Sequence, residues 1–193
     1  MGLAIRDQLV DAARGHPWSD VKFMDWGNIQ PGDMLTMEEH CGYQYLVHVE
    51  GVAYSGRLKY LLQCKSVSVM HEQKFIQHFH HLLDGRSNSS TQNVVVVPLP
   101  EKRPGSKAEP NPWQRLPEVM EKLRENPEKV KQIAENSWNG FRNRYLTPAA
   151  TSCYWRQLLR RWSEAQQYEV EMEDDYIPYE SFMLMGTTDW QAH

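Results

Sequence analysis

One basic side chain in a short turn has the chemistry to bind a phosphate group. Arg57 follows Gly51 and Ser55, where a strand pattern gives way to a helix pattern. A guanidinium at the start of a helix can hold a diphosphate through two parallel hydrogen bonds. In the other interpretation, Ser55 merely caps the helix and Arg57 is a solvated charge. The residues leave both interpretations open. Glu50, at the strand end, offers a carboxylate to a hydroxyl ligand or is a simple loop charge.

The turn is positioned by residues 43–69, whose pattern predicts strand, turn, helix and strand. Tyr45 and Val47 alternate with Leu46 and neighbouring polar residues, which favours a strand. Ser55 is a good N-cap for a helix over residues 56–63, and residues 66–69 predict a second strand. This order is a βαβ unit and implies a parallel sheet. Open α/β sheets bind phosphates and nucleotides at the carboxyl ends of their strands, so the pattern places Arg57 at a binding edge.

A metal site is the next possibility, because histidines are frequent after the second strand: His71, His78, His80 and His81. The HExxH zinc motif is excluded, because Phe75 stands where its second histidine is needed. A zinc site would still need a third ligand from elsewhere, and a solvated helix face explains these histidines without metal. We predict no metal. The sequence contains no Ser-His-Asp arrangement or phosphate P-loop, so no catalytic residue is assigned.

Composition narrows the class of protein. The 193 residues suffice for one domain with a real core, or for one lobe of a larger protein. A net charge of −4 argues against general affinity for nucleic acids. No apolar run approaches the length of about 18 residues that predicts a transmembrane helix. Residues 1–15 are charged and amphipathic, unlike a signal peptide.

Periodicity and capping residues predict the remaining elements. Helices are predicted over residues 4–14, 71–83, 116–125, 127–145 and 148–165, and strands over residues 21–26 and 94–97. Thr36, with Glu39 three residues later, predicts a capping box. The tail from residue 166 is predicted to be irregular. Asn88, Ser89 and Ser90 form a sequon for N-glycosylation, which is usable only in the secretory pathway.

Two ordered sets of residues carry a resemblance to a known family. The first set is Tyr43, Tyr45, Leu46, Gly51, Ser55, Arg57, Lys59, Leu61, Leu62, Cys64, Ser66 and Val67. The second set is Ile133, Ala134, Glu135, Phe141, Arg144, Leu146, Thr147, Cys153, Tyr154, Trp155, Leu158 and Leu159. Together they resemble the capsule-associated-protein glycosyltransferase domain, glycosyltransferase family 90, across residues 36–165. This family includes fungal capsule enzymes and animal protein O-glucosyltransferases of the Rumi type.

The resemblance implies a fold and a domain arrangement. Members of the family have two Rossmann-like lobes that face each other across a cleft (the GT-B type), and the catalytic aspartate lies in the N-terminal lobe. Because the matches begin near Thr36, residues 36–165 are expected to be the C-terminal, donor-binding lobe of the α/β class. Its parallel sheet is expected to be flanked by helices and followed by a helical C-terminal segment. Residues 1–35 are then an N-terminal helix and linker, and residues 166–193 an irregular tail.

The resemblance also implies a reaction and a location. The expected reaction is transfer of glucose or xylose from a UDP-sugar to a hydroxyl of a glycan or protein, without a metal or other cofactor. The expected location is the lumen of the endoplasmic reticulum or Golgi. The alternative is a truncated, non-catalytic module that binds a nucleotide sugar or another protein.

Particular residues acquire roles through the same resemblance. Donor binding is assigned to the turn residues Val52, Ala53, Tyr54, Ser55, Gly56 and Arg57. In the animal relatives, cysteines at the positions of Cys41 and Cys64 form a disulfide. The counterpart of Cys153 pairs with an N-terminal cysteine that this chain lacks. A Cys41–Cys64 bridge is therefore implied, and three reduced cysteines are the alternative.

Overall fold

A small parallel sheet forms the centre of the fold. A computed structural model describes residues 2–101, 105 and 110–169 of the chain. Its strands are β1 (Tyr45–His48), β2 (Val67–Met70) and β3 (Val95–Val96), and they lie in the order β1-β2-β3. Both pairs are parallel, with Tyr45 opposite Val67 and Val69 opposite Val95. The predicted α/β class and the parallel βαβ unit are therefore confirmed.

Six α-helices are described in the chain. They are α1 (Gly2–Ala13), α2 (Met37–His40), α3 (Leu58–Leu61), α4 (Leu116–Arg124), α5 (Pro127–Ser137) and α6 (Pro148–Ala165). Pro127 in the first turn of α5 fits its predicted start, because the missing N–H is one that a helix start leaves unpaired. A π-helical stretch, Trp138–Tyr145, follows α5, so the predicted helical run continues with wider turns.

The alternation along the strands assigns one set of side chains to each face of the sheet. On one face, Val67, Val69 and Val95 pack in a core with the buried side chains of α1, α4 and α5. On the other face, Met70 packs with Leu58 of α3 and with residues further along the chain. Burial of these apolar side chains removes them from water, which is the main source of stability for such a layered domain.

A disulfide connects the C-terminal ends of the short helices α2 and α3, and a capping box begins α2. Cys41, just after α2, and Cys64, just after α3, form a disulfide in the pairing that the resemblance implies. The predicted capping box is confirmed, because Thr36 and Glu39 each bond the other's backbone N–H. Cys153 is free and exposed.

The chain divides into two compact units, Met1–Ser152 and Cys153–His193. The second unit is described only over residues 153–169, which include the end of α6. There Trp155, Leu159 and Trp162 are exposed. The predicted irregular tail lies largely outside the described residues. None of the helices that the structure describes combines the length and apolar character needed to cross a membrane.

Two predicted elements are wrong. Residues 21–26 form no strand: Phe23 and Trp26 are exposed, and the stretch pairs with no other strand of the described chain. Residues 71–83 form no α-helix and contain only a 3₁₀ turn, His80–Leu82. The reason is a tertiary contact, because the backbone N–H groups of Lys74 and Phe75 donate to the Glu50 carboxylate rather than to helical carbonyls.

Candidate functional site

The candidate site lies at the carboxyl end of β1, where the chain leaves the sheet at Gly51. Val52, Ala53 and Tyr54 are exposed in the turn that follows. Within the described part of the chain, the backbone N–H groups of residues 52–57 have no hydrogen-bond partner. A run of free amides in an exposed turn can donate to the oxygen atoms of an anionic ligand.

The turn is longer than the sequence predicts, and the capping role of Ser55 is wrong. Helix α3 begins at Leu58, and its N-cap is Arg57, whose side chain makes no capping bond. Ser55 contributes its backbone carbonyl, which accepts from the Leu58 N–H at 3.3 Å. Because α3 has only four residues, its macrodipole is small, and the charge of the site must come from side chains.

Arg57 supplies one positive charge, from a half-buried position. Its Nε is buried and has no hydrogen-bond partner in the described chain. Burial lowers the pKa of Arg57, and repulsion from Arg6 lowers it further. A guanidinium still stays protonated at neutral pH. The alternative of a fully solvated surface charge is therefore excluded, since this cation is partly desolvated and lacks a counterion among the described residues.

Arg6 supplies a second positive charge, from helix α1. A Cβ placed on Gly51 would lie 3.4 Å from Arg6 Nη2, so the Arg6 guanidinium lies beside the backbone of the turn. Neither Arg6 nor Arg57 forms an ion pair with any acidic residue that the structure describes. The guanidinium groups of Arg6 and Arg57 thus both lie beside the turn of residues 52–57, whose backbone amides have no partner in the described chain. Local sequence patterns do not point to Arg6, because it lies far from Arg57 along the chain.

A neutral histidine lies near Arg57 at the end of β1. His48, the last residue of β1, is fully buried, and its ring nitrogens form no hydrogen bond of good geometry with any described residue, although the Gln73 side chain is close enough to interact with the ring. Burial lowers the pKa of His48 to about 4, with further contributions from Arg57 and His71, against a weaker opposing effect of Gln73. His48 therefore adds no positive charge near neutral pH, and the positive charge of the site comes from its arginines.

Glu50 and His71 hold the next loop against the end of β1. His71 Nδ1 lies 2.7 Å from the Glu72 carbonyl, so Nδ1 must donate; Nε2 then accepts from the Glu50 N–H at 3.4 Å. Burial lowers the pKa of His71, which fits this neutral tautomer. The Glu50 carboxylate is buried and accepts from the N–H groups of Lys74 and Phe75 at 2.9–3.1 Å. Glu50 is therefore a buried anchor for the next loop and not a solvated loop charge.

The histidines are not gathered into one site. His71 packs edge-on against Trp113, and His80 and His81 lie in the 3₁₀ turn. Among the residues described, no group of three or more His, Cys, Asp or Glu side chains is arranged to hold a metal ion. A cavity of about 210 Å³ lies elsewhere, beside Gln44 and Lys65 at the amino ends of the strands.

These observations define a class of protein: an α/β fold with a cationic, free-amide turn at the carboxyl end of a strand, where such folds bind phosphorylated ligands. Comparison with known proteins makes the assignment specific. The model of glycosyl transferase family 90 matches residues 4–188, and the chain belongs to that family. The family match extends beyond residues 36–165 on both sides.

Several relatives are similar over most of this chain. The O-glucosyltransferase rumi homolog of Aedes aegypti is 31% identical over 176 residues, which are 89% of this chain and 39% of the relative. The O-glucosyltransferase rumi of Drosophila melanogaster is 31% identical over 88% of this chain and 38% of its own length. Protein O-glucosyltransferase 1 of Homo sapiens is 26% identical over the same shares. The chain thus spans about two fifths of the length of these relatives.

Proposed function

We propose that this chain is the donor-binding lobe of a glycosyltransferase that uses a UDP-sugar. The observation that carries the proposal is the convergence of Arg6 and Arg57 on a turn of free amides, without a carboxylate partner in the described chain. A diphosphate carries negative charge on oxygen atoms that guanidinium and amide N–H groups bind well. Family membership supports transfer of a sugar, and the names of the relatives support a glucosyl group in preference to a xylosyl group.

The proposed residues form one continuous surface. Val52, Ala53, Tyr54, Ser55 and Gly56 would contribute backbone amides and the exposed turn. Arg57 and Arg6 would contribute charge. Because the Arg57 guanidinium is already partly desolvated in the free protein, little further desolvation opposes binding. The site is thereby preorganised for an anion before the ligand arrives.

The chemistry follows from where the negative charge develops. The acceptor hydroxyl oxygen would attack the anomeric carbon of the donor, while the bond from that carbon to the UDP oxygen breaks. UDP would leave with the bonding electrons, and two arginines would stabilise the charge that grows on its terminal phosphate. The acceptor proton requires a base, which we assign to a facing lobe of a GT-B arrangement. No residue of the described site is proposed as that base.

The proposed location is the lumen of the endoplasmic reticulum or Golgi. The Cys41–Cys64 disulfide supports this location, because disulfides persist in oxidising compartments and are rare in the cytosol. The proposed acceptor is a hydroxyl group of a protein or glycan that passes through the same compartment.

Calorimetric titration with UDP tests the donor site. Wild-type protein should bind UDP saturably, and Arg57→Ala should weaken binding by at least about tenfold, since a hydrogen bond to a charged group contributes about 1.5–3 kcal/mol. Arg115→Ala is the matched control, because Arg115 is a surface arginine paired with Glu118 on another part of the fold. Equal affinity in all three proteins would refute the donor site.

A further inference from the structure

A surface loop on the opposite edge of the sheet carries a modification signal that the donor site does not use. Asn88, Ser89 and Ser90 make up the only Asn-x-Ser/Thr sequence among the 193 residues. We propose that Asn88 is the attachment site of an N-linked glycan. The proposal rests on the secretory location proposed above, and it is independent of UDP binding.

The loop is closed at its base, which presents Asn88 at the tip. The Asp84 N–H donates to Asn93 Oδ1 at 2.8 Å, and the Asn93 N–H donates back to the Asp84 carbonyl at 3.0 Å. The Asp84 carboxylate then accepts from the side chains of Arg86 and Ser89 inside the loop. These bonds fix the loop without any contribution from the Asn88 side chain.

Helix α5 holds the same loop through its backbone. Lys129 Nζ donates to the Ser89 carbonyl at 3.1 Å, and Gln132 Nε2 and Asn136 Nδ2 donate to the Ser90 carbonyl at 2.9 and 2.8 Å. Asn88 itself is exposed, and its amide bonds to no residue that the structure describes. A glycan on this amide would therefore break none of the contacts that order the loop.

The position of the loop keeps a glycan away from the proposed donor site. The loop precedes β3, and Gly85 at its start packs against Val96, so the loop lies beside β3. Arg57 and the free-amide turn follow β1. Because β1 and β3 are the two outer strands of the sheet, the two features lie beside opposite edge strands, and a bulky glycan at Asn88 leaves UDP access unchanged.

The chemistry requires a sugar donor and a hydroxyl in the sequon. The Asn88 side-chain nitrogen would form a bond to the anomeric carbon of an oligosaccharide linked to a polyisoprenoid diphosphate. The lipid diphosphate would leave with the bonding electrons, and the nitrogen would lose one proton. The Ser90 hydroxyl is the sequon group that the secretory oligosaccharyltransferase recognises. Ser90 is exposed, as that recognition requires.

Peptide mapping of the full-length protein, expressed in eukaryotic cells, tests the proposal. Trypsin cleaves after Arg86, so Asn88 falls near the start of its own peptide. Enzymatic deglycosylation in heavy-oxygen water should convert Asn88 to a heavy-labelled aspartate. Asn88→Gln and Ser90→Ala should both abolish the glycan, whereas Ser87→Ala, which alters the neighbouring residue outside the sequon, should retain it. Asn88→Gln should bind UDP as tightly as wild type.

The state of Cys41 and Cys64 in the same sample separates the possible failures. An unmodified Asn88 in protein with the disulfide intact would overturn the glycan proposal and leave the location standing. An unmodified Asn88 together with reduced cysteines would overturn both the glycan and the secretory location, while UDP titration would still judge the donor site separately. A glycan that persists in Ser90→Ala would overturn the sequon as its cause.

Discussion

Replacing Arg6 by Gln should separate ligand binding from folding. Arg6 repels Arg57 in the free protein, and it pairs with no carboxylate of the described chain. Its removal should therefore leave the free protein as stable as wild type, or more stable by up to about 1 kcal/mol, the scale of exposed charge pairs. The same change should weaken UDP binding, because a guanidinium that contacts the diphosphate is lost.

The expected loss of UDP affinity follows from the charges on the Arg6 guanidinium and on the diphosphate. A hydrogen bond to a charged group contributes about 1.5–3 kcal/mol, so the dissociation constant for UDP should rise about 10- to 150-fold. At a UDP concentration about 100 times the wild-type constant, binding stabilises the wild type by about 2.7 kcal/mol. A variant with about 30-fold weaker binding would gain only about 0.9 kcal/mol at the same concentration.

Thermal unfolding with and without UDP measures both effects at once. About 2–4 °C per kcal/mol is typical for a chain of this size, so the shift caused by UDP should fall from roughly 5–11 °C to roughly 2–4 °C. Arg115→Gln is the control, since it removes an arginine that pairs with Glu118. A variant Arg6→Gln that melts lower when free, yet keeps the full UDP shift, would show that Arg6 is a structural charge and refute this reasoning.

Three further changes test the supports of the site. The protein should lose stability as the pH falls from 6.5 towards 4, because unfolded His48 takes up a proton near 6.5 while the folded pKa is about 4. The loss of unfolding free energy approaches roughly 3 kcal/mol. His48→Leu should show a flatter pH dependence of stability in urea unfolding. A pH dependence equal to that of the wild type would contradict the lowered pKa of His48. Glu50→Gln should lower the unfolding free energy by about 1–3 kcal/mol. It should also speed hydrogen exchange at the Lys74 amide, because that amide donates to the Glu50 carboxylate. An unchanged exchange rate would contradict the anchoring role of Glu50. Replacing Cys41 and Cys64 by Ala should lower the unfolding free energy by about 3 kcal/mol, because the disulfide closes a loop over a sequence separation of 23 residues in the unfolded chain. A urea midpoint equal to that of the wild type would contradict this expectation.

Local sequence patterns predict the parallel βαβ unit and the capping box, because burial of apolar side chains and hydrogen bonding within one helical turn act over a few residues. Alternation at Tyr45 and Val47 predicts a strand, and both side chains pack against the core, although they are only partly buried and the opposite face of β1 is fully buried. The strand, turn, helix and strand order then permits only a parallel pair with a crossover. The Thr36 capping box is likewise local, since both partners lie within one helical turn.

The site depends on contacts between distant residues, which a local pattern does not report. Arg57 could be singled out from its place in the turn, but its partner Arg6 reaches Gly51 only once α1 has packed on the sheet. The helical period over residues 71–83 was misleading for the same reason, because Glu50 takes the backbone amides of Lys74 and Phe75. Tertiary contacts override propensity where they supply stronger partners.

A crystal structure of the protein with UDP is the decisive experiment for the proposed binding of a diphosphate between Arg6 and Arg57 at the carboxyl end of β1. We expect phosphate oxygen atoms within hydrogen-bond distance, about 2.7–3.2 Å, of both guanidinium groups and of amides in residues 52–57. A well-ordered UDP whose phosphates lie elsewhere on the protein, with both arginines unchanged, would contradict it.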